Sequence, residues 1–95
     1  MIKNHYTITA SSWSNSVNSG GYYTYNISLR PFLDINYPPN IYQAGANLST
    51  FATDTEKAQF ELIDEVALTA GNVCTLYAKI KPTSTFYVYV EGASV

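Results

Sequence analysis

Hydrophobic and polar residues alternate with period two along much of this chain, which is organised around one such stretch, Val73 to Glu91. In a strand, that period sends successive side chains to opposite faces. The first arm, 73–80, sets Cys74, Leu76, Ala78 and Ile80 on one face, and the second, 85–91, sets Phe86, Val88 and Val90 on one face. Pro82 cannot donate to a sheet ladder, so it marks the connection between the arms. The expected structure is a hairpin pairing Ile80 with Phe86, Ala78 with Val88 and Leu76 with Val90. That register sets Tyr77 against Tyr89 and Lys79 against Tyr87 on the other face, a tyrosine-rich surface. An isolated hairpin is marginal in water, so the rest of the chain must supply strands that cover the apolar face.

The preceding residues carry more of the same pattern. Residues 5–10 alternate, with Tyr6, Ile8 and Ala10 opposite His5, Thr7 and Thr9. Trp13 follows and is expected in the core, near the helix start or beneath the final hairpin. Ser14 to Gly21 is a run of turn formers and predicts a surface loop. Residues 22–29 predict a strand with Tyr23, Tyr25, Ile27 and Leu29 on one face. Arg30-Pro31 interrupts it, and 32–37 predicts a further strand that Pro38-Pro39 ends. Residues 41–51 give no clear period; a short helical turn or an edge strand fits there. Thr53-Asp54-Thr55-Glu56 matches a capping box. The polar residues Lys57, Glu61, Asp64 and Glu65 then fall opposite Ala58, Leu62, Ile63 and Val66, which predicts one short amphipathic helix over about 54–65. Residues 67–70 fit a short strand stopped by Gly71-Asn72. Five or more alternating segments against one helix predict a mainly β chain, an antiparallel β-sandwich forming a single domain over 1–95.

Composition narrows the function classes. The net charge of −2 gives no basic surface for nucleic acid. No stretch is apolar enough to span a bilayer, and Met1 to His5 lacks the apolar run of a signal peptide. The expectation is a chain made in the cytoplasm without a secretory signal. Cys74 is the single cysteine, so no internal disulfide can form, and its parity places it inward as a small hydrophobe.

Candidate chemistry is sparse. His5 is the sole histidine and reads as a surface strand residue. Metal-ligand spacing and phosphate-cradling glycine loops are missing, and the helix carboxylates read as a solvated face. No catalytic residue, cofactor or metal is therefore expected. The nine tyrosines are the unusual feature, too many for the core of so small a domain. Tyrosine combines an apolar face with a polar tip, which suits interfaces and sugar-stacking platforms. The contact candidates are Tyr77, Lys79, Tyr87 and Tyr89, over a core of Trp13, Cys74, Leu76, Ile80, Phe86, Val88 and Val90.

Tyr6-Thr7-Ile8-Thr9-Ala10-Ser11-Ser12-Trp13 resembles the opening "strand, Ala-Ser-Gly-Trp" of small β domains in phage tail-fibre and head-fibre proteins, with Ser12 in place of the usual Gly. Leu68 to Ala78, Lys81-Pro82-Thr83 and Phe86 to Gly92 resemble the segment that closes their sheet. About half the chain is covered, and 40–51 has no counterpart. The resemblance implies an immunoglobulin-like sandwich at a virion surface, often oligomeric and without catalytic residues. The expected function is thus a non-enzymatic bacteriophage structural protein, a fibre, capsid-decoration or host-attachment domain. Its expected partners are other virion proteins or copies of itself, a trimer included, with no nucleic acid and no membrane. The alternative is a carbohydrate-binding module that presents surface tyrosines to a host-cell glycan.

Overall fold

The alternating segments become strands of two separate three-stranded antiparallel sheets in a computed structural model that describes residues 1–95. The elements are β1 (Ile2–Ile8), a 3-10 turn (Ala10–Ser12), β2 (Tyr23–Ser28), β3 (Asn40–Ala44), α1 (Asp54–Phe60), β4 (Glu65–Thr69), β5 (Val73–Ala78) and β6 (Phe86–Gly92). One sheet has the order β1-β6-β3 and the other β2-β5-β4. Their inner faces pack together as a mainly β sandwich with one short helix.

β5 and β6 do not form the expected hairpin. Each is the central strand of its own sheet: β5 pairs with β2 and β4, and β6 pairs with β1 and β3. Residues 79–85 cross from one sheet to the other, with Pro82 fully buried in the crossing. Facing each other lets the two strands bury both apolar stripes at once. Side by side, both stripes would lie on one face and need further cover. The inward parity is nevertheless as the alternation predicts, since Cys74, Leu76, Ala78, Phe86 and Val88 are wholly buried and Val90 nearly so. Ile80 is the exception, 66% exposed, because β5 ends at Ala78 and the parity stops with it.

Other elements also differ from the expectation. β1 starts at Ile2, and Ala10 belongs to the 3-10 turn. The segment 32–37 is not a strand: it contributes only a bridge from Leu33 to Ser94, then turns as the Asp34 carboxylate accepts from the Asn36 backbone and side chain. The capping box is present in full, yet α1 stops at Phe60. Tight bonds from Leu62 N to Gln59 O and from Ile63 N to Phe60 O close the turn, and Asp64 N then bonds Tyr77 O. That bond starts β4 at Glu65, where the predicted helix would have continued. Segment 40–44, without a clear period in the sequence, is an edge strand whose Ile41 packs against the core.

Side chains close the open sides of the sandwich. Between β1 and β2, the Tyr25 hydroxyl accepts from Thr9 N at 3.1 Å and donates to Thr7 O at 3.3 Å. Between β3 and β4, α1 brings Phe60 and the following turn brings Ile63 against the core. The Gln59 side-chain oxygen accepts from Thr83 N at 2.7 Å and Ser84 N at 3.1 Å, fastening α1 to the crossing segment. Trp13 is 3% exposed, and the ring against it is Tyr25, at 5.3 Å between centroids. Asn72, at positive φ of 58°, closes the β4–β5 turn, and its buried side-chain amide pairs with both backbone groups of Leu33.

Burial pushes the Cys74 thiol up to about 11 from its ordinary 9.0. At pH 8 roughly one folded molecule in a thousand then carries the thiolate that reagents require. Thiol reagents should label Cys74 only after unfolding; rapid labelling of the native protein would mean that β5 has slipped by one residue. The unfolded thiol loses its proton first as pH rises. Stability should therefore be untouched below about pH 9 and fall between about 9 and 11, by at most ~1.4 kcal/mol per pH unit. Urea midpoints at pH 8 and 10.5 measure this slope, and Cys74→Ala should lessen it.

Candidate functional site

The parity that buries Phe86, Val88 and Val90 sends Tyr87, Tyr89 and Glu91 to the outer face of the β1-β6-β3 sheet. Three cross-strand rows follow from the register. Lys3, Glu91 and Asn40 form the first; His5, Tyr89 and Tyr42 the second; Thr7, Tyr87 and Ala44 the third. Side chains opposed in such rows, and those diagonal to them, lie close enough to interact. Here His5 and Tyr89 touch directly, and the remaining contacts run between neighbouring rows.

His5 lies at the centre of the aromatic cluster. It stacks on Tyr87 with centroids 5.6 Å apart and planes at 22°, and meets Tyr89 edge-on at 5.4 Å. Its Nε2 lies 2.8 Å from the Gly45 carbonyl oxygen, which can only accept, so Nε2 carries a proton. The Lys3 ammonium sits over two rings, 5.1 Å from the Tyr42 centroid and 4.9 Å from that of Tyr89. Tyr42 donates its hydroxyl hydrogen to Glu91 Oε1 at 3.2 Å. That hydrogen bond, reinforced by the negative charge of Glu91, raises the Tyr42 phenol above its ordinary value.

Tyr87 and Tyr89 thus belong to this face, but Tyr77 and Lys79 do not. They lie with the β2-β5-β4 sheet on the opposite side of the molecule, because β5 and β6 belong to different sheets. There Tyr77 is flanked by Thr24 and Glu65 and meets Tyr22 edge-on at 6.0 Å, while the Lys79 ammonium lies 5.7 Å from the Tyr22 ring. The four-residue patch expected from a hairpin register is therefore divided between two outward faces. Sequence reasoning missed Lys3, Tyr42 and Glu91 as its replacements. The alternation of 5–10 already placed His5 outward, but Tyr42 sits where no period was legible.

The arrangement favours some chemistry over other kinds. The rings are engaged with one another and with Lys3, so the face presents edges, hydroxyls and a cation more than open flat rings. A sugar platform needs free ring faces, whereas a protein interface uses an amphipathic aromatic cluster of this kind directly. The Nε2 of His5 is held by a backbone carbonyl rather than by a carboxylate or a nucleophile. Cys74 is buried with its thiol pushed up, the reverse of an activated nucleophile.

Fold and face together define a small β-sandwich with an aromatic, cation-bearing outer sheet. No protein-family model matches the chain, and searches of curated proteins and of solved structures return no match.

Proposed function

We propose that this domain is a non-enzymatic contact module of a bacteriophage virion, an immunoglobulin-like fibre or capsid-decoration domain that acts through protein–protein contacts. The observation that carries the reading is the cross-strand cluster of Lys3, His5, Tyr42, Tyr87 and Tyr89 on one outer sheet. Aromatic rings offer large contact area with few rotors to freeze, and they are over-represented among the residues that dominate interface energetics. The virion setting is supported by the resemblance of the Tyr6–Trp13 and Leu68–Gly92 segments to phage fibre domains. A host-surface glycan is the competing occupant of the face, disfavoured by the engagement of its ring faces.

The test is the double change Tyr42→Ser, Tyr89→Ser. Cross-strand contacts on a wet face contribute roughly 0.2–1 kcal/mol per pair, so the variant should stay folded with a modestly lowered melting temperature. Its incorporation into phage particles, measured by mass spectrometry of purified virions, should be lost if the face is the contact. Normal incorporation of the variant, or no wild-type chain in the virions, would sink the proposal. Retention of the wild type on a glycan array, lost in the variant, would transfer the face to the carbohydrate reading.

A further inference from the structure

Phe51 is 95% exposed and Leu48 78% exposed, two of the barest large hydrophobic side chains in the molecule. Both lie at the rim of its largest groove, a cavity of about 360 Å³ whose walls include Ala44, Thr50, Lys57 and Tyr89. The loop that presents them is tied to itself. Asn47 Oδ1 accepts from the Ser49 backbone and hydroxyl, both at 2.9 Å, and Thr50 N bonds back to Asn47 O at 3.4 Å. A Cβ on Gly45 would run into the Thr50 carbonyl, so the base of the loop closes as only glycine permits. The Gly45 carbonyl is held by His5, and two residues past Phe51 the Thr53–Glu56 capping box begins α1. Phe51 is thus held in the open between a bonded loop and a capped helix.

We propose that a second copy of this chain covers it, in a two-fold pair where Phe51 of each copy seats in the groove of the other, between Leu48 and Tyr89. The proposal rests on the reading of the outer sheet as a protein contact, since Tyr89 belongs both to that face and to the groove. Two features single out a second copy. Knob and groove lie in one patch, which is the self-complementarity an isologous contact requires: one two-fold rotation fills both grooves and closes the assembly. The flanking helix also bears exposed charges of both signs at Asp54 and Lys57. An antiparallel approach of the two helices sets Lys57 of one copy against Asp54 of the other. The apolar area involved is a few phenyl- and leucyl-sized side chains, below that of a standard interface, so the pair is a reversible one.

Sedimentation equilibrium from about 1 µM to about 1 mM tests this. The wild type should pass from monomer to dimer within that range. Phe51→Ser, at a solvated position, should keep the wild-type melting temperature and weaken the dimer at least about thirtyfold. Phe32→Ser, in the loop at the other end of β3, should leave the dimer unchanged. A wild type that stays monomeric throughout, or a Phe51→Ser variant that dimerises normally, overturns the pair. Tyr87 separates this inference from the virion role, because it belongs to the face but not to the groove. Dimer loss in Phe51→Ser with full incorporation of Tyr87→Ser upholds the pair and overturns the role. The reverse overturns the pair alone.

Discussion

Trp13→Ala is expected to destabilise the domain by about 3–5 kcal/mol, the range for truncating a buried tryptophan. For a chain of this length each kcal/mol lowers the melting temperature by roughly 4–8 °C, so the transition should fall by at least about 12 °C. The cost has two parts. The indole fills the space beneath Tyr25 at the end of the sandwich where the 3-10 turn joins the β1 and β2 sides, and alanine would leave it empty. Tyr25 also ties the two sheets together through its hydroxyl, which bonds Thr9 N and Thr7 O, so a ring that loses its packing partner loosens that tie as well. Trp13→Phe should cost much less, because Trp13 Nε1 is buried without a hydrogen-bond partner. Phenylalanine keeps an aromatic ring against Tyr25 and removes the unsatisfied group, whose desolvation costs about 1–3 kcal/mol. Thermal melts of the two variants decide the matter. Equal losses would show that the full volume of the indole, and not its unpaired nitrogen, sets the cost, and near-native stability of Trp13→Ala would show that the tryptophan does not anchor the core.

Asn72→Ala should cost about 2–5 kcal/mol, although the side chain it removes is polar. Its side-chain amide behaves as a short strand: Oδ1 accepts from Leu33 N at 2.6 Å and Nδ2 donates to Leu33 O at 2.7 Å. Its own carbonyl accepts from Leu29 N at 3.0 Å. Asn72 is 6% exposed and Leu33 3%, so alanine would orphan two buried backbone groups, each worth about 1–3 kcal/mol. Alanine also tolerates the positive φ of Asn72 less well than asparagine does. Asn72→Gly removes that strain but not the orphaning, so it should fall between the wild type and Asn72→Ala. If both variants melt with the wild type, the 30–37 segment is held by Leu33 packing alone. If Gly restores full stability, backbone conformation and not the amide clasp is what the asparagine provides.

Much of the local structure was legible in the alternation. The inward residues of β2, β5 and β6 follow from period two, because a sheet with one buried face must place Ile27, Cys74, Leu76, Phe86 and Val88 on the same side as their neighbours two residues away. The capping box at Thr53 was equally legible, since it depends only on residues three apart. The failures share a cause. Residues 32–37 alternate as a strand does, but the buried amide of Asn72, distant in sequence, claims the Leu33 backbone and leaves the rest to turn. The residues after Phe60 fit a helical face as well as a strand, and pairing of Val66 and Leu68 with β5 settles the conflict in favour of the sheet.

The contact face shows the same division at the scale of the whole molecule. Alternation by itself determined that Tyr77, Tyr87 and Tyr89 point away from the core, and so that this protein carries an aromatic exterior. It did not determine which of them share a face. Parity is a property of one strand, whereas adjacency depends on which strands bond to each other, and both β5 and β6 offered the same pattern to any partner. Only the tertiary structure decided that they lie face to face in different sheets. Each stripe buries fully when the two face each other across the core, and that packing carries Tyr77 and Lys79 to one exterior and gathers Lys3, His5, Tyr42, Tyr87 and Tyr89 on the other.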